Sequence, residues 1–389
     1  MAKKNANGSG SIRQRPDGRW EARYCVGVDP TTGKTIRRSI YGSSQAEVRK
    51  KLTEVLESLD KGAYVEPNRI TVKGWLEEWL TVYVENTVKP LTLLSYQTIV
   101  NCHLIPLLGN VPLQKLKGID IQRAYNEELK SGTSAKTIHN INGVLRRSLD
   151  DALRQGYIVA NPCLTVSLPK KTKAEIHPLE HDEIPLFLEA IKSDVYGNAF
   201  ALCLFAGLRE GECLGLSWKQ VDFENETLTI NQQLQKVKVG DGKRQFVISE
   251  TTKSDIIRVI RPPQIAFDFL REERQKQIEN RLKAGTAWDN PNDLVFTNPL
   301  GGHIVTYTFF KHFKKVVNVI GRPDLRPHDL RHSCATVALA TGSDIKSVQH
   351  LLGHSSCSFT LDTYAHASQK MQEDTATKMQ AYFASAKTG

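Results

Sequence analysis

From residue 11 onward the chain alternates apolar and polar positions, and after residue 70 it changes to helical spacing. In "RWEARYCV", Trp20, Ala22, Tyr24 and Val26 alternate with Glu21, Arg23 and Cys25, which predicts a half-buried strand. "SIRQR" runs up to the turn signal "PDG" at 16–18, and "KTIRRSIY" follows the turn "DPTTG" at 29–33, predicting a strand on each side. Ser44 and Glu47 form a capping box for a helix that reaches about Leu59. "YVEPNRI" at 64–70 reads as a linker. Beyond it Thr71 caps a stripe of Trp75, Leu76, Trp79, Leu80 and Tyr83, and further helices are predicted near 91–105, 118–130 and 134–155. The last of these carries Ile138, Ile141, Leu145, Leu149 and Ala152 at helical spacing, the signature of a core-facing stripe.

"NPCLTVSLPKKTK" at 161–173 has two prolines and a basic end, and predicts an extended connection. After it, helices near 180–192, 195–206 and 209–217 precede the strand-like stretches "ETLTINQQ" and "RQFVIS", with "GDG" at 240–242 as a hairpin turn. A long charged helix follows Pro262 and Pro263, then "LVFT", then helices around 305–320, 328–341, 344–352 and 358–369. The expected fold is multidomain and free of fixed-period repeats. An α+β module of three strands and a helix (1–64) leads to an all-α domain (68–168). A mixed, mainly-α domain with a small antiparallel sheet and a C-terminal tail (174–389) completes it.

Charge changes the picture. The chain has 389 residues and a net charge of +10, which suggests a polyanionic partner. Residues 1–62 hold 13 Lys and Arg against 7 acids, a surplus of 6, whereas 63–169 and 170–389 each carry a surplus of only 2. Arg13, Arg15, Arg19, Arg23, Arg37 and Arg38 fall on the expected N-terminal strands, so a sheet face could lie in a DNA groove. The longest nearly uninterrupted apolar run, "AFALCLFAGL" at 199–208, is about half of what a membrane span requires, so no membrane partner is expected. The N-terminus lacks the apolar core of a secretory signal. Seven scattered cysteines without C-x-x-C favour reduced thiols in a cytosolic protein.

Candidate chemistry gathers in "HDLR" at 328–331 and "HLLGHSSCSFTLDTY" at 350–364. His328 and His332 stand four apart, as do His350 and His354, and such pairs can share a zinc ion. No Glu follows the first His as in H-E-x-x-H, and the interleaved arginine is a poor metal neighbour, so no metal is expected. A phosphate site fits better. Arg331 sits one turn after His328, and "AGLREGECLGL" places Arg209 at a helix start with Glu212 one turn further. Arginine forks match phosphate oxygens two at a time, and two can hold a phosphodiester and its developing charge. Tyr364 would be the nucleophile, its phenolate stabilised by the surrounding cations. "GKT" at 33–35 has Val28 where a P-loop needs glycine, so no nucleotide cofactor is expected.

"AGLREGECLGL", "TTKS", "RPHDLRHSCATVALATG" and "HLLGHSSCSFTLDTYAH" resemble the signature blocks of tyrosine recombinases, in the family's order. The three-part layout is similar to integrases of temperate phages and conjugative transposons. The resemblance implies that Arg209 and Arg331 clamp the scissile phosphate while His328 and His354 bond its oxygens or share in proton movement. It implies further that Lys253 protonates the leaving 5′-oxygen, that Tyr364 attacks to give a 3′-phosphotyrosyl enzyme, and that Glu212 orients the pocket. The implied function is site-specific recombination through a Holliday junction. The implied partners are double-stranded DNA at core-type and arm-type sites and a homo-tetramer on that DNA, with room for an accessory DNA-bending or excision factor. In the tail, Met379, Tyr382 and Phe383 form one apolar stripe that fits docking on its own catalytic domain as well as on a neighbouring subunit, and the resemblance favours the neighbouring subunit. A type IB topoisomerase shares the chemistry, and a DNA-binding regulator without catalysis is the rival from another class.

Overall fold

The computed structural model describes residues 10–62, 64–171, 177–239, 243–249 and 257–353, with 379, 380 and 383. The chain divides into two compact units, residues 1–172 and 173–389.

The first unit opens with β1 (Ser11–Gln14), β2 (Trp20–Val28) and β3 (Thr35–Gly42), antiparallel and in that spatial order. Helix α1 (Gln45–Asp60) packs on one face through Val48 and Leu52, which bury Ala22 and Tyr24. Its N-cap is Ser44, whose Oγ accepts from the Glu47 amide at 3.3 Å. The Glu47 carboxylate accepts from the Ser43 amide at 2.9 Å, one residue earlier than a capping box requires.

Register sorts the six arginines. Arg13 lies opposite Glu21 and Arg37 opposite Cys25, on the same side as Arg23 and away from the helix. Arg38 lies opposite Tyr24, on the helix side, and donates to Glu66 at 2.6 Å. Adjacent strand residues must face opposite ways, so Arg37 and Arg38 cannot share a surface. Arg19 sits in the turn, paired with Asp17 at 2.8 Å, and the Arg15 guanidinium lies 5.5 Å over the Tyr41 ring. The six do not form one patch.

The open face is organised by Glu21, whose side chain is buried beneath the arginines. Burial pushes its carboxyl up, but hydrogen bonds from Arg13, Arg23 and Ser39 win and hold it at about 2.

Four helical stretches follow. Helix α2 (Val72–Glu78) runs on through a π-helical segment, Trp79–Val84. Helix α3 (Pro90–Ile99) continues through the π-helical Val100–Leu104 into α4 (Ile105–Leu108), and α5 (Gly118–Lys130) and α6 (Ala135–Arg154) complete the bundle. Trp75 and Trp79 are fully buried, and their indole N–H groups donate to the Ser148 carbonyl at 3.1 Å and to Asp151 at 2.7 Å, pinning α2 to α6. Pro90–Leu108 is long and apolar enough to cross a membrane by length and composition. Polar residues interrupt its apolar runs, which is why a search for uninterrupted stretches passes over it. Here Val100, Leu104 and Leu108 are buried in the helical core.

The linker is held at both ends. The Tyr64 hydroxyl lies 3.0 Å from that of Tyr24, and Gln114 donates to the Glu66 carbonyl at 2.9 Å while accepting from the Asn68 amide at 3.3 Å.

The second unit contains α7 (Glu183–Ile191), α8 (Gly197–Ala206), α9 (Glu210–Gly215) and two separate antiparallel sheets. One sheet orders β4 (Val221–Asp222), β5 (Thr227–Ile230) and β8 (Arg258–Ile260). The other pairs β6 (Gln233–Val239) with β7 (Lys243–Ser249). "RQFVIS" therefore pairs with "QLQKVKV", and "ETLTINQQ" supplies β5, which pairs with β8 instead. The polar composition of β6 hides it from a hydrophobic scan. "LVFT" forms isolated bridges rather than a strand, although Leu294, Val295 and Phe296 are buried. Helices α10 (Ile265–Ala284), α11 (Thr306–Val319), α12 (Pro327–Ala340) and α13 (Ile345–Leu352) follow. Helix α8, buried except at Asn198 and Phe205 and in contact with α10 and α12, is the axis of this core. The expected turn at 240–242 and helix at 358–369 lie outside the described residues.

Candidate active site

"AGLRE" builds the first wall. Helix α8 ends in Gly207 at φ 60°, a left-handed C-cap that reverses the chain. A Cβ there would meet Leu352 Cδ2 at 2.8 Å and Cys334 Sγ at 3.2 Å, so glycine is required both by conformation and by space. Two residues on, extended Arg209 (φ −69°, ψ 150°) is the N-cap position of α9. Glu212, one turn into that helix, accepts from the Arg209 amide at 3.1 Å and from Arg209 Nη1 at 2.6 Å.

Helix α12 supplies the second wall. Its start is fixed by Pro327 and by Asp329, which accepts from the Arg326 amide at 2.7 Å. His328 is exposed, and its ring meets that of buried His332 edge-on with centroids 5.0 Å apart. Burial pushes His332 down, favouring its neutral form. Arg331 is 1% exposed and donates from Nη1 to the Gly207 carbonyl at 2.8 Å and from Nη2 to the Leu352 carbonyl. His328 and Arg331 thus stand one turn apart, one at the surface and the other beneath it.

Helix α13 closes the site. Asp344 caps its N-terminus by accepting from the Lys346 amide at 3.0 Å and the Ser347 amide at 2.9 Å. Its C-terminus ends in Gly353 at φ 62°. Three consecutive carbonyls there each receive an arginine: Leu351 from Arg258 Nε at 3.1 Å, Leu352 from Arg331, and Gly353 from Arg209 Nη2 at 3.1 Å. Helix C-termini leave such carbonyls unpaired and carry partial negative charge, so cations are well placed there.

Arg258 was not among the residues singled out from the sequence. It sits on β8, 2% exposed, and grips Glu212 with Nη1 at 3.1 Å and Nη2 at 2.7 Å. A signal was available: Arg258 is in phase with buried Ile260 and lies opposite buried Ile230, and a charge in the buried phase of a strand needs a partner. Burial pushes the Glu212 carboxyl up, but Arg258 and Arg209 outweigh it and hold the group at about 2. Burial alone pushes Glu210 up to about 7, so near neutrality it is only partly charged. Arg209, Arg258, Arg331 and Glu212 together carry a net charge of two positives. The arrangement suits an anion presented between the two walls. Lys253, His354 and Tyr364 lie outside the described residues.

Residues 177–371 match the model described as Phage integrase family, and residues 71–129 match Phage integrase, N-terminal SAM-like domain. The chain is 32% identical to a "Tyrosine recombinase XerC-like" protein of Caldanaerobacter subterraneus subsp. tengcongensis, covering 87% of this chain and 90% of that one. Among solved structures it is similar to the Tn1549 transposon integrase in complex with circular intermediate DNA, with TM-score 0.64 and 23% identity over 76% of this chain and 95% of that one. It is also similar to a lambda integrase tetramer bound to a Holliday junction, with TM-score 0.55 and 19% identity over 89% and 95% of the two chains.

Proposed function

Because this chain belongs to the phage integrase family, we propose that its arginine-lined site is where a DNA phosphodiester is cut and rejoined. The protein is a tyrosine recombinase, an enzyme of site-specific DNA strand exchange. The observation that carries the site reading is the seating of Arg209 and Arg331 on the adjacent carbonyls of Gly353 and Leu352. Two guanidiniums fixed side by side are preorganised for a phosphate and add no reorganisation at the moment of reaction.

In this reading the Tyr364 oxygen attacks phosphorus as its phenolic proton passes to the imidazole of His328 or His354, the bond to the 5′-oxygen breaks, and a 3′-phosphotyrosyl ester forms. Lys253 gives its proton to the leaving 5′-oxygen, and Arg209 and Arg331 hold the equatorial oxygens with His328 and His354. Glu212 aligns Arg209. Attack by a 5′-hydroxyl of a second duplex reverses the step and returns Tyr364, so the energy of the broken bond is conserved. Two such exchanges make and resolve a Holliday junction on a homo-tetramer. Helical residues 68–168 would bind the core site, and residues 1–64 an arm-type site through Arg13, Arg15, Arg23 and Arg37. The open-face placement of Arg13, Arg23 and Arg37, the position of Arg15 beside Glu21 and Tyr41, and the charge surplus of residues 1–62 support that assignment, and solved relatives bound to DNA support DNA as the partner.

Tyr364→Phe tests the reading, because it deletes one oxygen. On a nicked suicide duplex carrying the true junction, the variant should bind as before and form no covalent adduct on a denaturing gel. An adduct formed by the Phe variant would refute it.

A further inference from the structure

Resting on the reading of Arg209 and Arg331 as phosphate clamps, we propose that Arg258 is a positioning residue that sets both of them. Its three nitrogens are all committed: Nη1 and Nη2 fork onto Glu212, and Nε donates to the Leu351 carbonyl. Arg258 therefore joins two things that each hold Arg209. One is Glu212, which grips the Arg209 amide and Nη1, and the other is the C-terminal turn of α13, whose Gly353 carbonyl takes Arg209 Nη2. That same turn offers the Leu352 carbonyl to Arg331.

The role has an electrostatic side as well. Arg209 Nη1 and Arg258 Nη1 both donate to the same oxygen of Glu212, at 2.6 and 3.1 Å. With Arg258 present, the single buried carboxylate is shared, and Arg209 keeps positive charge to offer an anion. Without it, Glu212 is free to turn fully onto Arg209, neutralising it and drawing it off Gly353. The fit is close: a Cβ on Gly353 would stand 3.0 Å from Arg258 Nη1. A lysine has one point charge where arginine has a planar fork, so it cannot satisfy Glu212 and the Leu351 carbonyl together.

The test uses the full chain with Arg258→Lys and Arg258→Met, in single-turnover cleavage of the suicide duplex at saturating protein. Thermal unfolding shows the folded fraction. Each variant should bind the duplex as wild type does and cleave on the order of 100-fold more slowly, the effect of a misplaced clamp. A second duplex carries a methylphosphonate at the scissile position, which removes the anionic charge the clamp serves. There the deficit relative to wild type should shrink, because less depends on the clamp's position and charge. Equal deficits on both duplexes would put the effect in general folding and overturn the proposal, as would wild-type cleavage by Arg258→Met. Arg209→Ala separates the two levels. If it cleaves at the full rate, the clamp reading fails. If it fails to cleave while both Arg258 variants cleave normally, only the present inference falls.

Discussion

Replacing Glu212 with glutamine keeps the side chain's shape and removes the negative charge that Arg209 and Arg258 share. The carboxylate is 1% exposed and held at about 2 against an ordinary 4.5. At about 1.4 kcal/mol per pKa unit, that depression corresponds to roughly 3 kcal/mol of stability. Breaking a buried pair by removing one partner costs about 3–5 kcal/mol, because the remaining charges stay buried, so the two routes agree. The pH dependence has a definite sign. A depressed carboxylate contributes its full stability above its unfolded value near 4.5, and loses it as pH falls from there through about 2. Urea unfolding of wild type and Glu212→Gln, run side by side, should give a gap of roughly 3–5 kcal/mol at pH 7. The gap should hold down to about pH 5 and narrow below it. A gap under about 1 kcal/mol at pH 7, the size of an exposed pair, would refute the reasoning. So would a gap that stays constant into acid, since the stabilisation would then not come from the ionised group.

Two further outcomes follow from other parts of the molecule. Deleting residues 1–62 removes a charge surplus of 6 and leaves the helical core around Trp75 and Trp79 intact. Binding to arm-type DNA and its steep salt dependence should disappear in filter-binding titrations, while cleavage of a short core site remains. Gly353→Ala should lose about 1–2 kcal/mol from its left-handed φ and lose cleavage as well, because the new Cβ meets Arg258. Gly342→Ala, at φ 90° with nothing within 4 Å, is the control and should keep its cleavage. Equal activity in the two alanine variants would mean that the Arg258 contact is unimportant.

Periodicity made most helices legible. The stripe from Ile138 to Ala152 is buried along its length in α6, and Ser44 and Thr71 both cap where their side chains suggest. Arg209, Glu212 and Arg331 stood out because phosphate chemistry needs such residues at such spacings. Arg258 did not, since its meaning depends on the pairing of β8 with β5, and that pairing joins segments some thirty residues apart. The carbonyls of Leu351, Leu352 and Gly353 left no trace in the sequence because every residue has one. Only the fold brings the end of α13 under three guanidiniums. In the hairpin of β6 and β7 only β7 was legible, for a related reason: the ladder is made by the backbone, and Gln235 and Lys236 conceal β6.

The linker between sheet and helical bundle has a consequence for how DNA is measured. Seven residues, 64–70, extend to at most about 25 Å, so a surface bound at one end faces the other at millimolar effective concentration. Two weak DNA contacts joined this way act as one strong contact, provided that their sites lie within reach. The grip of Arg38 on Glu66 is exposed on both sides, and such a pair contributes at most about 1 kcal/mol. The tether is thus short by covalent geometry and fastened at the sheet end by this exposed pair and by the Tyr24–Tyr64 contact. Sites at the fastened spacing would be bound at no conformational cost, and sites slightly further apart at the cost of the Arg38–Glu66 pair and, beyond it, of the Tyr24–Tyr64 contact. On the proposal that sheet and bundle each bind DNA, the linker would act over its range as a ruler that converts the distance between two DNA sites into affinity.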